Sequence, residues 1–291
     1  MKSLKVYAVV AFSLALAACT KEETTSPVKD APKAEAPAKA EAKAEAKPAT
    51  AEDILVKLAD VQWKPASPDR PERLVARIAG TKEQGMMMLS KAPAGFEMPL
   101  HSHSATVTAV VVSGSLKHGR SAADATELSA GSTWVQPAGE VHYASCTTDC
   151  LIAAYFDGPA GTAMAEKAHE GDMKTVYTIG DAIPFKPLNP KAPQGPQMHV
   201  LSGDMKTGPF RAIAKIPGGL KLPVHTHPAS YAAVTLSGQW QKTGKGDMTA
   251  GDFWTTAGAV EHQNACLSEE PCVFFIAMDG AFGMTPVEAQ N

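Results

Sequence analysis

The sequence predicts an all-β chain carrying two copies of one barrel-like domain. Three observations carry that expectation. The chain repeats itself at an offset near 120 residues, its apolar segments are short, β-branched and bounded by Gly or Ser, and six of its nine histidines fall at matched positions of the repeat.

The amino terminus precedes the fold. Lys2 and Lys5 form a positive segment, and Val6 to Ala17 is an apolar run too short to span a bilayer comfortably. It ends in Leu16-Ala17-Ala18-Cys19, which resembles the bacterial lipobox. That resemblance implies cleavage before Cys19 and acylation of it, hence a lipid-anchored, periplasm-facing protein of the bacterial cell envelope. Thr20 follows the cysteine where an aspartate would favour the inner membrane, so the outer membrane is the default.

Residues 20–50 read as a tether. The segment is rich in Ala, Pro, Lys and Glu, its six lysines offset six acids, and almost no large apolar side chain is present. Such a composition buries no core and is expected to be disordered or partly helical. The expected organisation is therefore 1–19 signal peptide and anchor cysteine, 20–50 tether, 51–172 first barrel and 173–291 second barrel.

The repeat is explicit. Trp63-Lys64-Pro65 matches Phe185-Lys186-Pro187, His101-Ser102-His103 matches His225-Thr226-His227, and Ser113-Gly114 matches Ser237-Gly238. Gly131 and Trp134 match Gly251 and Trp254, His142 matches His262, and Cys146 matches Cys266. The offset exceeds that of solenoid repeats and suits a duplicated whole domain. Segments such as 105–112 and 232–236 read as strands; helix potential is confined to 163–169 and the tether. Several short strands with regular turns indicate a sandwich or barrel. A net charge of −3 provides no basic surface for nucleic acid.

A His-x-His pair on a strand sends both rings to one face, since side chains alternate with period two. A third histidine on a neighbouring strand completes a facial set, and imidazole suits Fe, Zn, Cu and Ni. His101, His103 and His142 form one such set; His225, His227 and His262 form the other.

These residues resemble the cupin superfamily. Gly95-x5-His101-x-His103 followed by Gly114 is similar to the first cupin motif, and Gly131-x5-Pro137-x-Gly139-x2-His142 to the second. The second copy has Gly219-x5-His225-x-His227, Gly238, Gly251 and His262, but Ala257 and Ala259 replace the proline and inner glycine. The resemblance covers roughly residues 51–291. It implies two tandem cupin jelly-roll barrels with up to two divalent transition metals per chain, of Fe, Zn, Mn, Cu or Ni. Three-His cupins are similar to thiol and diketone dioxygenases that use ferrous iron; zinc-binding cupins also exist. The glutamate that cupins often add is replaced by Val107 and Tyr231. Both share strand parity with the histidines and are expected inside. Val107 cannot ligate; Tyr231, the one candidate catalytic residue, either ligates as phenolate, acts on a bound group as hydrogen-bond donor or acid, or simply packs.

Without Cys19, the cysteines are Cys146, Cys150, Cys266 and Cys272. An oxidising compartment and local spacing favour the disulfides Cys146–Cys150 and Cys266–Cys272, with redox or metal-binding thiols as the alternative. Three functions remain open: a non-haem, iron-like oxidoreductase acting on a small organic substrate, a non-catalytic module binding metal or a small ligand, and an assembly protein with inert barrels. The sequence leaves the oligomeric state and the substrate open.

Overall fold

The computed structural model describes residues 53–287. Cys19 and the tether lie outside the described residues. Within them the all-β expectation holds: two single-turn 3-10 segments, Leu58–Asp60 and Gly180–Ala182, accompany the strands. No helix there is long and apolar enough to cross a membrane.

The helix potential at 163–169 is not realised. Thr162–Met164 is instead a strand, antiparallel to the strand Glu97–His103 and pairing Met164 with His101 and Thr162 with His103. An edge strand with open amide and carbonyl groups takes a partner over weak local helix propensity.

In the first barrel a seven-stranded sheet runs Val176–Thr178, Thr133–Gln136, Val107–Ser113, Cys150–Phe156, Gly85–Ala92, Arg70–Thr81, Lys64–Ser67. A five-stranded sheet opposes it: Thr162–Met164, Glu97–His103, His142–Cys146, Ser115–Gly119, Thr126–Ser129. The second barrel repeats the large sheet as Leu55–Val56, Phe253–Thr256, Tyr231–Ser237, Cys272–Met278, Phe210–Ile216, Gln197–Gly203, Lys186–Pro187. Its opposing side is split into a two-stranded and a three-stranded sheet.

Pairing crosses the expected division at 172/173 in both directions. Leu55–Val56 pairs with Trp254 and Phe253 of the second barrel, while Val176–Thr178 pairs with Val135 to Thr133 of the first. Each barrel thus lends its leading segment to the other. Asp53 travels with the first of these arms and forms an ion pair with the buried Lys242.

The two large sheets share a core. Val110 and Val112 of the first barrel pack in one cluster with Ala232, Val234, Phe253 and Phe275 of the second. Val107, Ala109 and Val111 of the same strand face the first barrel's interior. A strand covered on both faces reads as an unbroken apolar run, which explains the stretch 109–112 within Val107–Ser113. At roughly 1.5–3 kcal/mol per fully buried aliphatic or aromatic side chain, the shared layer is a principal stabiliser of the pair.

The disulfides Cys146–Cys150 and Cys266–Cys272 are both present, with Cα separations of 5.9 and 5.7 Å. Each clips the turn between two consecutive strands that lie in different sheets of its barrel.

Candidate metal centres

The first trio is assembled by strand pairing. His101 and His103 lie on Glu97–His103, and His142 opposes His101 directly on the neighbouring strand. Ring centroids are separated by 3.9 Å for His101–His142, 5.0 Å for His101–His103 and 5.2 Å for His103–His142. The second trio repeats this geometry with 4.3, 4.9 and 5.2 Å. There His225 and His262 exchange two backbone hydrogen bonds of 2.9 and 3.0 Å. In both trios one nitrogen from each ring lies within 4.8 Å of the others.

Anchoring of the rings fixes which nitrogen is free. In the second trio each Nδ1 donates to a backbone carbonyl: His225 to Pro223 at 2.8 Å, His227 to Gly283 at 2.5 Å and His262 to Val260 at 2.9 Å. A carbonyl can only accept, so Nδ1 carries the proton and Nε2 keeps its lone pair. In the first trio His101 Nδ1 donates to Pro99 at 2.8 Å, which frees its Nε2, whereas His142 Nδ1 lies 2.5 Å from the Gln136 amide nitrogen, a donor, and 3.3 Å from the Glu140 carbonyl, an acceptor, so these contacts leave its tautomer open. His103 Nδ1 lies 3.3 Å from Thr162 Oγ1. Oriented neutral imidazoles of this kind are what a divalent cation requires.

Burial enforces the neutral form. It lowers His101 to about 4, with Arg73 and Arg70 adding repulsion, and His103 to about 3, with His101 and Arg73 adding theirs. His142 is lowered by burial and by its neighbouring histidines. In the second trio burial lowers His225 and His227, and holds His262 at about 4. The donor set fits a divalent transition metal at each centre.

The turn that delivers the third histidine is the same in both copies. Gly139 (φ 79°) donates its amide to the His103 carbonyl at 2.8 Å, and Ala259 (φ 63°) donates to the His227 carbonyl at 2.8 Å. Replacing the inner glycine by alanine therefore preserves the turn and leaves a non-glycine residue in left-handed backbone.

What surrounds the trios differs. The first opens on a cavity of about 100 Å³ whose apolar lining includes Met88, Phe96, Leu116 and Ile152. By strand register, Leu116 corresponds to Trp240 and Ile152 to Phe274. The rings of Trp240 and Phe274 are 5.3 Å apart, and Trp254 packs on Phe274 at 5.4 Å. Larger side chains thus fill in the second barrel the volume left open in the first.

Val107 and Tyr231 are both buried inside their barrels, as strand parity predicts. The Tyr231 hydroxyl lies 3.2 Å from His262 Nε2 and accepts from Trp254 Nε1 at 3.4 Å. Burial pushes the phenol up, so without an ion it is neutral and donates to that nitrogen.

A fourth histidine joins the first centre. His118 is buried, stacks on His142 with centroids 4.6 Å apart, and meets the Tyr177 hydroxyl through Nδ1 at 2.8 Å. Its Nε2 has no partner among the described residues. The repeat does not reveal it, because Lys242 stands in its place; the alternation of Leu116 and His118 on Ser115–Gly119 does. Glu140, two residues before the third ligand, is turned away from solvent. Its buried carboxylate accepts from the amides of Lys174 and Thr175 and from the Thr175 hydroxyl, holding the exchanged arm.

The sequence profile of a family described as "Domain of unknown function (DUF4437)" matches residues 54–285. No curated protein matches the chain in sequence. Among solved structures, the chain is similar to a candidate dioxygenase from Nostoc punctiforme PCC 73102, with 15% identity, 82% of this chain and 88% of that chain covered, and a TM-score of 0.66. It is similar also to a single-substitution variant of Bacillus subtilis oxalate decarboxylase, with 14% identity, coverage of 82% and 80%, and a TM-score of 0.52. Another structure of that decarboxylase, whose description concerns its Mn(II) centres, gives 13% identity, coverage of 82% and 80%, and a TM-score of 0.50. At such identities the likeness concerns the fold, which is that of the cupins.

Proposed function

The chain belongs to the DUF4437 family, and on that premise we propose that it is a two-centre metal-binding bicupin whose first barrel is the reaction chamber for a small organic molecule. One observation carries this reading: three convergent histidines face a mostly apolar cavity in the first barrel, whereas aromatic side chains fill the corresponding volume in the second.

His101, His103 and His142 would hold the first ion, and His225, His227 and His262 the second. A bound divalent metal with three protein ligands supplies Lewis acidity, and for a redox metal the activation of oxygen, at a position left open. The chain's own residues exclude water through the apolar lining and fix the ligand rings through backbone carbonyls. The Cys146–Cys150 clip closes part of the cavity wall. The reaction class that suits this chamber is an iron-type oxygenation. Tyr231 belongs to the second centre, as a fourth donor or as the holder of a bound water.

A second reading, a non-catalytic module that binds metal or a small ligand, is favoured by one feature. No carboxylate lines the first cavity among the described residues, so no acidic general base faces the ion.

The reading includes an envelope location, with Cys19 acylated and residues 20–50 holding the barrels off the membrane. The lipobox supports it, as do two disulfides of the kind that persist in oxidising compartments. Metal analysis of protein extracted from its native envelope, followed by oxygen-electrode screening against small organic acids, alcohols and thiols, tests the proposal. Iron with substrate-dependent oxygen uptake supports the oxygenase; tightly held zinc without turnover supports the binding module. Absence of any bound divalent metal overturns the oxygenase and the metal-binding form of the module.

A further inference from the structure

One charged side chain in the first cavity has no part in holding a metal. Arg73, on the strand Arg70–Thr81, lines the cavity together with His101 and His103. Its Nε donates to the buried Ser90 hydroxyl at 3.0 Å, which sets the plane of the guanidinium. Its two terminal nitrogens have no hydrogen-bond acceptor and no carboxylate partner among the described residues. A half-buried cation without a counter-charge is unfavourable by itself, and an anion that enters the cavity relieves that penalty. Burial and the nearby Arg70 both lower the Arg73 pKa, the signature of an uncompensated positive charge.

The second barrel shows that the arrangement is local to the first. By strand register, Pro196 stands where the first barrel has Arg73, and Ala214 where it has Ser90. The Arg73 charge, the hydroxyl that orients it and the open volume occur together in the first barrel; in the second, Pro196 and Ala214 replace the first two, and Trp240 and Phe274 take the wall positions of Leu116 and Ile152.

We infer that Arg73 is the anchor for the carboxylate of a small ligand that occupies the first-barrel cavity. The terminal nitrogens present a planar fork that matches a carboxylate in bidentate fashion. The body of the ligand packs on Met88, Phe96 and Ile152. Size is bounded by volume: a cavity near 150 Å³ accommodates benzene, so about 100 Å³ suits a carboxylic acid of at most about six heavy atoms. The inference names the substrate class of the chamber and rests on the metal-centre reading only for what happens to that ligand, since Arg73 is separate from the histidines.

The test is calorimetric titration of the full chain at neutral pH with butyrate, and with butyramide as the neutral isostere. It is run on zinc-loaded and on chelator-stripped protein, with zinc content measured in parallel. Butyrate should bind at least about tenfold more tightly than butyramide, and Arg73→Gln should weaken butyrate by about tenfold or more while zinc content stays unchanged. Arg73→Lys, which keeps the charge but not the fork, should fall between the two. Ile152→Phe, which installs the side-chain type found in the second barrel, should abolish butyrate binding with zinc retained, and it carries the test should Arg73→Gln not fold. Arg73-dependent butyrate binding in protein that holds no zinc would support the anchor while the metal reading fails. Equal affinity for butyrate and butyramide, butyrate binding that survives Arg73→Gln or Ile152→Phe, or no butyrate binding by zinc-loaded wild type would overturn it.

Discussion

The Tyr231 hydroxyl lies 3.2 Å from Nε2 of His262, the nitrogen that the Val260 carbonyl leaves free for a ligand. Its counterpart in the first barrel is Val107, so this inward position supplies an oxygen to the second centre and none to the first. A phenol beside a divalent ion loses its proton more readily than the neutral, buried phenol described above. Tyr231→Phe should therefore lower metal affinity at the second centre by about 10–100-fold and leave the first unchanged. Competitive chelator titration of each centre measures this; equal affinities in variant and wild type would reduce Tyr231 to a packing residue.

Acid should destabilise the metal-free protein. His101, His103 and His118 are held neutral in the fold, at about 4, 3 and 3, chiefly by burial. In the unfolded chain such groups titrate near about 6.5. Below that pH the unfolded state binds more protons, so stability falls as pH drops from about 6.5 toward 4 and levels off once the folded histidines protonate. Thermal melting of chelator-treated protein across this window checks the sign. A Tm that rises as pH falls through it would contradict the burial of neutral imidazoles.

The arm exchange places a charge pair where one member is almost fully enclosed. Lys242 has 2% of its side chain exposed and Asp53 25%, and Lys242 Nζ also donates to Thr256 Oγ1 at 2.8 Å. Asp53→Asn removes the counter-charge, and the variant should be destabilised by about 3 kcal/mol. Lys242→Met, which fills the space without a charge, should be far milder in the same denaturation experiment when combined with Asp53→Asn.

Gly139 and Ala259 make the same turn from different residue types. A Cβ at Gly139 would meet nothing within 4 Å, so only backbone strain opposes it. Gly139→Ala should destabilise by about 1 kcal/mol, and Ala259→Gly should stabilise by less, because glycine gains freedom in the unfolded chain. Urea midpoints of the two variants measure the difference.

Both histidine trios were legible in the sequence because their signal is local and doubled: strand parity aligns each His-x-His pair, and the repeat supplies the third ring. Tyr231 and Val107 followed from the same parity. The cavity was not legible, because it depends on Leu116 and Ile152 meeting from different strands, against Trp240 and Phe274 in the other copy. The exchanged arms, Leu55–Val56 and Val176–Thr178, are too short to carry a period. His118 lay on a readable alternation, but attention to matched positions passes over a residue whose counterpart is Lys242. The helix potential at 163–169 lost to the open edge beside His101 and His103.

The measurement closest to the central claim is metal stoichiometry of the full chain under saturating divalent cation, read by elemental analysis for wild type, His142→Ala and His262→Ala. Two ions per chain in wild type and one in each variant is the expected result. Two ions retained in either variant, or none in wild type, would contradict the assignment of the two trios as metal centres.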